Sequence, residues 1–344
     1  MSKINRRDWG RAALTGLAAL ALPPRGTVRA AATQAENGRA YRYIHLDVFT
    51  DRRLAGNQLL VFPQPAGLDA DAMLQLTRES NYSECTFVFP PEQTGTNHRV
   101  RIFMRSAESP FAGHPTIGTA FALAHAGVLE PGTANTVFGL GIGPTHVDLE
   151  WNGTRLAFAW MTQLTPTFGK TIDDANAVAS AIGVDVGAVR LKANAPTRIP
   201  AAQEVNTGST FLIVPVTTRK AVDAATFDRA KVDALFAAAG IQRRGVYVFS
   251  TERGQDAATA YSRLLGSAGI EDPATGSAAG PAGAFMAKHG LVLPEGTDSI
   301  VLLQGVLVGR PSRIHVRVSL TGADITSVKV GGTAVVVGEG TMSR

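Results

Sequence analysis

The sequence predicts a strand-rich α+β fold built from two similar halves. Three observations support this prediction: many short runs with strand-like alternation, few helical patterns, and an internal duplication. Strands and helices do not alternate regularly along the chain, which argues against a parallel βαβ arrangement. At 344 residues, 45% of them hydrophobic, the chain is long enough to form two medium-sized domains.

Strands are predicted wherever short runs alternate in polarity or are rich in β-branched and aromatic residues. Nine such runs are Tyr43–Phe49, Cys85–Phe89, Val100–Met104, Thr145–Trp151, Leu156–Trp160, Phe211–Val214, Val246–Phe249, Ile314–Val318 and Val335–Val337. Five segments have helical patterns: Asp69–Ser80, Pro115–Ala126, Asp173–Ile182, Phe227–Ala239 and Pro281–His289.

The second half of the chain repeats features of the first at an offset of 164 residues. Ala120-Phe121 matches Ala284-Phe285, and Glu108 matches Asp272. Each copy has an acid, a short loop of small residues and a helix that is apolar on all sides, and such a helix is usually buried. We expect one central helix in each half, with both helix N-termini at the interface, where their free N–H groups suit a carboxylate ligand. The alternative is that the small residues serve close packing alone.

The first 32 residues have the pattern of a processing signal. A basic start is followed by an apolar run from Ala12 to Leu22 and by small residues from Ala30 to Ala32 at a plausible cleavage point. The segment Asn5–Trp9 resembles the twin-arginine export motif. Because the apolar run is much shorter than the roughly 20 residues that span a bilayer, we expect a signal peptide and not a membrane anchor. The mature protein is then periplasmic or secreted.

The charge of the chain lies in this leading segment. Residues 1–32 contain six Lys or Arg and one Asp, which accounts for the whole formal charge of +5 and leaves the remainder neutral. The rest of the chain is neutral overall and has no stripe of basic residues that could bind a phosphate backbone. We therefore exclude nucleic acid as a partner. The single cysteine, Cys85, cannot form an internal disulfide, and its strand-like surroundings predict a buried, structural thiol.

Four segments resemble signatures of one enzyme family. They are Glu79–Val88 with its Ser-Glu-Cys-Thr-Phe-Val core, Pro110–Thr116 (Pro-Phe-Ala-Gly-His-Pro-Thr), Glu271–Ala278 (Glu-Asp-Pro-Ala-Thr-Gly-Ser-Ala) and Gly309–Ser312 (Gly-Arg-Pro-Ser). In this order they are similar to the family of isomerases that includes the phenazine-biosynthesis protein PhzF. One departure is Gln58, which stands where the family commonly has proline after Gly-Asn.

The resemblance implies the fold of diaminopimelate epimerase, with two pseudosymmetric domains that each form a β-barrel-like sheet around a central helix. We place the N-terminal half-domain at 41–163, joined by 328–344, and the C-terminal half-domain at 164–327. The active site is expected in the cleft between them. No cofactor and no metal are implied, and the resemblance suggests a homodimer.

The resemblance also implies the catalytic residues. Glu84 is the expected catalytic carboxylate, and His114 and Asp272 are expected to orient the substrate or to relay protons. Glu84 starts a β-rich run, where loss of water would raise the pKa of a carboxyl group toward neutrality, and such a group can move a proton between carbon atoms. Without the resemblance, a solvated Glu, a loop His and a helix-capping Asp would be the ordinary interpretations.

The expected substrate-binding residues lie close to these three. Gly113, Gly276 and Ser277 are expected to offer N–H or hydroxyl donors to a carboxylate, and Glu108 is a further candidate because it matches Asp272 in the duplication. Related epimerases of this fold use one cysteine from each half. The corresponding positions here contain no thiol, so we expect an isomerase and not an epimerase.

Two other motifs suggest different functions, but their sequence context argues against both. The glycine-rich Gly139–Gly143 precedes a strand and not a helix, which predicts a hairpin turn and no phosphate loop. Thr275 stands where a nucleophile elbow needs glycine, which disfavours a serine hydrolase. The expected function is a cofactor-independent proton transfer on a small carboxylic acid. A catalytically silent periplasmic binding protein is the alternative.

Overall fold

The computed structural model describes residues 39–189, 199–242, 245–266 and 271–344. Residues 39–344 form one compact unit. The predicted signal peptide, residues 1–32, lies outside the described residues. Within the described part of the chain, no helix is long and apolar enough to cross a membrane.

Strands dominate the described residues. The seventeen strands are β1 (Ala40–Val48), β2 (Asn57–Phe62), β3 (Glu84–Phe89), β4 (His98–Met104), β5 (Glu108–Ser109), β6 (Asn135–Leu140), β7 (Gly143–Asn152), β8 (Arg155–Thr162), β9 (Thr167–Ile172), β10 (Ala202–Asn206), β11 (Thr210–Pro215), β12 (Gly245–Ser250), β13 (Ala260–Leu265), β14 (Ile300–Gln304), β15 (Ser312–Thr321), β16 (Asp324–Gly332) and β17 (Ala334–Ser343).

Seven α-helices connect some of these strands in the described ranges. They are α1 (Ala70–Ser80), α2 (Gly113–His125), α3 (Ala175–Ile182), α4 (Val186–Val189), α5 (Arg219–Ala224), α6 (Arg229–Ala239) and α7 (Gly276–Lys288). The predicted sheet-dominated α+β class is therefore confirmed. All nine predicted strands and all five predicted helices are found, with boundaries that differ by up to six residues.

Sixteen strands pair in one continuous order, β17-β1-β2-β3-β4-β6-β7-β8-β16-β15-β14-β13-β12-β11-β10-β9. Among the described residues, the short strand β5 pairs with β4 alone. Four neighbouring pairs are parallel: β2 with β3, β4 with β6, β11 with β12, and β13 with β14. From β17 to β8 and from β9 to β16, the same succession of antiparallel and parallel pairings occurs. Each parallel pair is bridged by one or two helices, as parallel strands require a crossover.

Helices α2 and α7 are buried along most of their length. Helix α2 packs on β1, β2 and β8, and α7 packs on β10, β11, β15 and β16. A helix can lie inside a sheet-lined core when its residues are small or apolar on every side. Both helices share one hydrophobic core cluster, to which Phe121 of α2 and Phe285 of α7 contribute.

The structure corrects two helix starts. Helix α2 begins at Gly113 and not at Pro115, and α7 begins at Gly276 and not at Pro281. Proline favours the first turn of a helix, which made each of these prolines a natural start. Because the helices begin earlier, Gly113 and His114 lie in the first turn of α2, and Gly276 and Ser277 lie in the first turn of α7.

The turn between β6 and β7 confirms the interpretation of the glycine-rich segment. Leu140 pairs with Gly143 across a tight antiparallel hairpin. Cys85 is fully buried in β3, as the strand-like surroundings predict. The assignment of 41–163 with 328–344, and of 164–327, to separate half-domains stays a prediction, and so does the homodimer.

Candidate active site

A cavity of about 470 Å³ lies where the N-termini of α2 and α7 meet the start of β3. Six of the seven sequence-predicted site residues line it: Gly113 and His114 of α2, Gly276 and Ser277 of α7, Glu84 of β3, and Asp272 of the loop before α7. Residues far apart in the chain are thus brought to one cavity.

Glu108, the seventh predicted residue, is not among the residues that line this cavity. Its carboxylate accepts two hydrogen bonds from the guanidinium of Arg101, at 2.8 and 2.6 Å. This bidentate pair lowers the pKa of Glu108. Glu108 is therefore placed in an ion pair between β4 and β5.

The two helix starts are in direct contact. A Cβ atom added to Gly113 would lie 2.6 Å from the Cα of Gly276 and 2.6 Å from the backbone nitrogen of Ser277. Neither helix has a side-chain hydrogen bond at its N-cap. The first N–H groups of a helix have no partner within the helix, and its N-terminus carries a partial positive charge, so two uncapped helix starts suit an anionic group of a ligand.

Glu84 and His114 form a close, largely buried pair. The Glu84 Oε2 atom lies 3.3 Å from His114 Nδ1, and the two side chains are 14% and 4% exposed. Burial, assisted by the negative charge of Asp272, raises the pKa of Glu84 to about 8. Burial also lowers the pKa of His114 to about 3. The imidazole is therefore neutral near pH 7, and Glu84 is a much stronger base than an ordinary carboxylate when it ionises.

Asp272 has a different environment. Its Oδ1 accepts a hydrogen bond from Asn57 Nδ2 at 2.6 Å, and its Oδ2 accepts one from the Thr275 hydroxyl at 2.6 Å. Burial raises the pKa of Asp272 to about 6, while these hydrogen bonds and one from the backbone of Ala274 act in the opposite direction. Near pH 7 the cavity therefore holds an ionised Asp272 and a mainly protonated Glu84.

Asn57 lies between Asp272 and His114. Its Nδ2 lies 2.6 Å from Asp272 Oδ1, 2.9 Å from the carbonyl oxygen of Ala274 and 3.2 Å from His114 Nδ1. An amide nitrogen has two hydrogens, and the two shorter contacts, to oxygen acceptors, account for both. The His114 imidazole therefore has other partners: the Glu84 carboxylate, 3.3 Å from Nδ1, and the backbone of Gln58, with which it forms a hydrogen bond.

Arg310 holds the loop that carries Asn57. Its guanidinium donates to the carbonyl oxygens of Gly56 and Ala55, at 2.8 and 2.7 Å, and to the carboxylate of Asp47. Asp47 is only 1% exposed, so this pair lies at the edge of the core. Arg310 also lines the cavity.

Part of the cavity lining, called the apolar wall below, is formed by Tyr82, Met104, Phe211, Leu264 and Val308. A lining that combines apolar side chains with polar groups is typical of sites for small organic ligands. Among the described residues, no group of three or more His, Cys, Asp or Glu side chains could hold a metal ion.

Sequence reasoning missed the residues that support the acids. Asn57 was noted only as part of a turn, and Arg310 only as part of a motif. Gln304, at the end of β14, carried no sequence signal because a glutamine is usually exposed. A hint for Asn57 was its position directly after Gly56 and at the start of an apolar strand.

Comparisons with known proteins identify the family of this chain. A family profile described as phenazine biosynthesis-like protein matches residues 46–340. An uncharacterized isomerase of Mesorhizobium japonicum is 33% identical over 87% of this chain and 97% of its own length. Trans-2,3-dihydro-3-hydroxyanthranilate isomerase of Pseudomonas chlororaphis is 31% identical, covering 88% of this chain and 99% of that protein. The crystal structure of a PhzF-family phenazine biosynthesis protein of Bacillus anthracis has the same fold, with a TM-score of 0.75, 23% identity and coverage of 89% and 100% of the two chains.

Proposed function

This chain belongs to the phenazine biosynthesis-like family, whose similar members are named isomerases, and we propose that it isomerises a small carboxylic acid by moving a proton with Glu84. The ionised Glu84 removes a proton from one carbon of the substrate and returns it to another. No atom is gained or lost in this step, so it needs no oxidant and no second substrate.

The observation that carries the proposal is the pair of unequal acids in one cavity. Glu84 has a pKa of about 8 and Asp272 has a pKa of about 6. Ionised Asp272 makes Glu84 more basic because two like charges in a dry cavity repel each other. A base whose pKa is near the working pH can both take and return a proton efficiently.

The other cavity residues receive supporting roles in the proposal. The N–H groups of Gly113, Gly276 and Ser277 bind the substrate carboxylate at the two helix starts. Neutral His114 orients Glu84 through the 3.3 Å contact. The apolar wall holds the hydrocarbon part of the substrate and excludes water, which preserves the high pKa of Glu84.

The proposed architecture places this cavity between two pseudosymmetric half-domains. The repeated succession of strand pairings supports this division, as does the presence of one buried helix in each set of strands. Strand β17 pairs with β1, which agrees with a last strand that returns to the N-terminal half.

The proposed location is the periplasm or the extracellular space, and it rests on the signal-like residues 1–32 alone. An exported enzyme would meet a different set of substrates from a cytoplasmic relative. The substrate of the Pseudomonas relative is therefore a first compound to test, together with other carboxylic acids.

The test is an assay for double-bond migration by NMR. The purified protein is incubated with trans-2,3-dihydro-3-hydroxyanthranilate and with a panel of unsaturated and amino-bearing carboxylic acids. We expect one of them to be isomerised by the wild type, and the Glu84→Gln variant to be slower by at least about 10²-fold. Glu130→Gln, at an exposed position outside the cavity, is the matched control.

Two results would contradict the proposal. Full activity in Glu84→Gln would remove Glu84 from the mechanism. A carboxylic acid that binds tightly but is recovered unchanged after long incubation, while no member of the panel reacts, would favour the catalytically silent binding protein.

A further inference from the structure

Gln304 is a fully buried polar residue at the end of β14. It is not among the residues that line the cavity, yet its side chain makes four hydrogen bonds close to Asp272. Its Nε2 donates to the carbonyl oxygen of Asp272 at 2.8 Å and to the Thr275 hydroxyl oxygen at 2.9 Å. Its Oε1 accepts from the backbone N–H of Thr275 and from the Tyr247 hydroxyl, both at 3.1 Å.

Two backbone groups determine the orientation of the Gln304 amide. A carbonyl oxygen only accepts and a backbone N–H only donates. The end of the amide that faces the Asp272 carbonyl oxygen must therefore be the NH₂ group, and the end that faces the Thr275 N–H must be the oxygen. One NH₂ hydrogen is bound to Asp272, which leaves the other for the Thr275 hydroxyl oxygen.

This orientation determines the direction of the next hydrogen bond. Because the Thr275 hydroxyl oxygen accepts from Gln304, its own hydrogen is free to be donated, and Asp272 Oδ2 lies 2.6 Å away. On the other side of the carboxylate, the carbonyl oxygen of Ala274 orients the Asn57 amide in the same manner, so Asn57 donates to Oδ1. Both oxygens of Asp272 thus face donors, and donors on both oxygens favour the ionised carboxylate.

We propose that Gln304 is a positioning residue that acts through Thr275 to keep Asp272 an ionised hydrogen-bond acceptor beside Glu84. Its catalytic consequence rests on the function proposed above: an ionised Asp272 increases the basicity of Glu84. The hydrogen-bond directions themselves do not depend on that function.

Other charged and titratable groups also face Asp272. They are Glu84 of β3, His114 of α2 through Asn57, Tyr247 of β12, Arg310 at the cavity and the adjacent Glu271, which is paired with Arg263 of β13. None of them is removed by a substitution at Thr275, so an effect of that substitution on Asp272 is assigned to the Thr275 hydroxyl.

The test measures the ionisation of Asp272 directly and needs no substrate. Protein labelled with ¹³C at the Asp side-chain carboxyl is titrated by NMR, and the Asp272 signal is assigned from its loss in Asp272→Asn. Thr275→Val preserves the shape of the side chain but removes the hydroxyl, and we expect it to lower the acid ionisation constant of Asp272 about tenfold. Thr275→Ser retains the hydroxyl, and we expect a constant within about twofold of the wild type.

A second measurement reports on Gln304 without altering it. In the wild type, both side-chain NH₂ hydrogens of Gln304 should be protected from exchange with water, and in Thr275→Val one of them should lose its protection. Equal changes in the valine and serine variants, or no change in either, would overturn the proposal. Because no turnover is measured, failure of the isomerase assay would leave this result unaffected.

Discussion

Gly113 and Gly276, the first residues of α2 and α7, touch each other at the edge of the cavity. A Cβ at Gly113 would lie 2.5 Å from the backbone carbonyl carbon of Gly276, closer than any real Cβ contact. The obstacle is backbone and not a flexible side chain, so it cannot move without shifting a helix. The two helix starts can therefore approach so closely only because both residues lack a side chain.

Gly113→Ala is expected to be destabilising for this reason. The new methyl group must push α7 away from α2, and overpacking of this kind costs about 1–3 kcal/mol. The midpoint of urea unfolding measures the change. Gly338→Ala is the matched control, because no atom lies within 4 Å of the added methyl group there. Equal midpoints for the two variants would show that the helix starts are not tightly packed.

The pH dependence of kcat/KM should report the ionisation of Glu84. If ionised Glu84 starts the reaction, kcat/KM increases about tenfold per pH unit at acidic pH and levels off above the Glu84 pKa of about 8. Asp272→Asn lacks the negative charge that helps raise this pKa. The rise of kcat/KM with pH should therefore occur at lower pH in this variant. A rate that instead falls through pH 8 would mean that protonated Glu84 begins the reaction.

The stability of the protein should reveal the same group without any substrate. The Glu84 pKa is raised on folding, from 4.5 to about 8, so its contribution to stability is present below about pH 4.5 and is lost as the pH rises to 8. Gln has no charge to bury. Glu84→Gln should therefore become more stable than the wild type between pH 5 and pH 8.5, by an amount on the order of a few kcal/mol.

Urea unfolding at three pH values in this range checks the expectation. Glu130→Gln, at an exposed position, is the control and should show no pH-dependent difference from the wild type. A difference between Glu84→Gln and the wild type that stays constant with pH would show that Glu84 ionises as readily in the folded protein as in the unfolded chain.

Arg310→Met should destabilise the protein and misplace Asn57. The substitution leaves Asp47 buried without its charged partner and frees the carbonyl oxygens of Ala55 and Gly56. Breaking such a pair costs about 3–5 kcal/mol. Thermal and urea unfolding measure the loss. The double variant Asp47→Asn/Arg310→Met should recover part of it because no charge then remains buried. A double variant as unstable as the sum of the single variants would contradict the pairing.

Export can be tested through residues 6 and 7. Replacing both arginines by lysine should keep the protein in the cytoplasm, since the twin-arginine pathway recognises the arginine pair and not charge alone. Immunoblots of periplasmic and cytoplasmic fractions measure the distribution, with Arg11→Lys as the control. Unchanged export of the double variant would exclude this pathway.

The sequence predicted most of the candidate site residues because they lie in short family-like segments. Glu84, His114 and Ser277 each belong to such a segment, and it can be recognised without knowing the fold. Glu108 is a predicted site residue that does not line the cavity. The duplication matched it to Asp272, but a nearby Arg101 on the adjacent strand binds its carboxylate. Which charge partner a side chain meets depends on strand register, and the internal match carries no information about register.

The sequence by itself determined the class of fold, the two apolar helices and the identity of six residues that line the cavity, since periodicity and local motifs are properties of short segments. Only the tertiary structure decided how these groups act together. It placed Gly113 against Gly276 and put Asn57 between His114 and Asp272. It also buried Gln304 behind Thr275. Those contacts join residues up to 215 positions apart (57 to 272), and they set the protonation of each acid because burial and hydrogen-bond direction exist only in the folded chain.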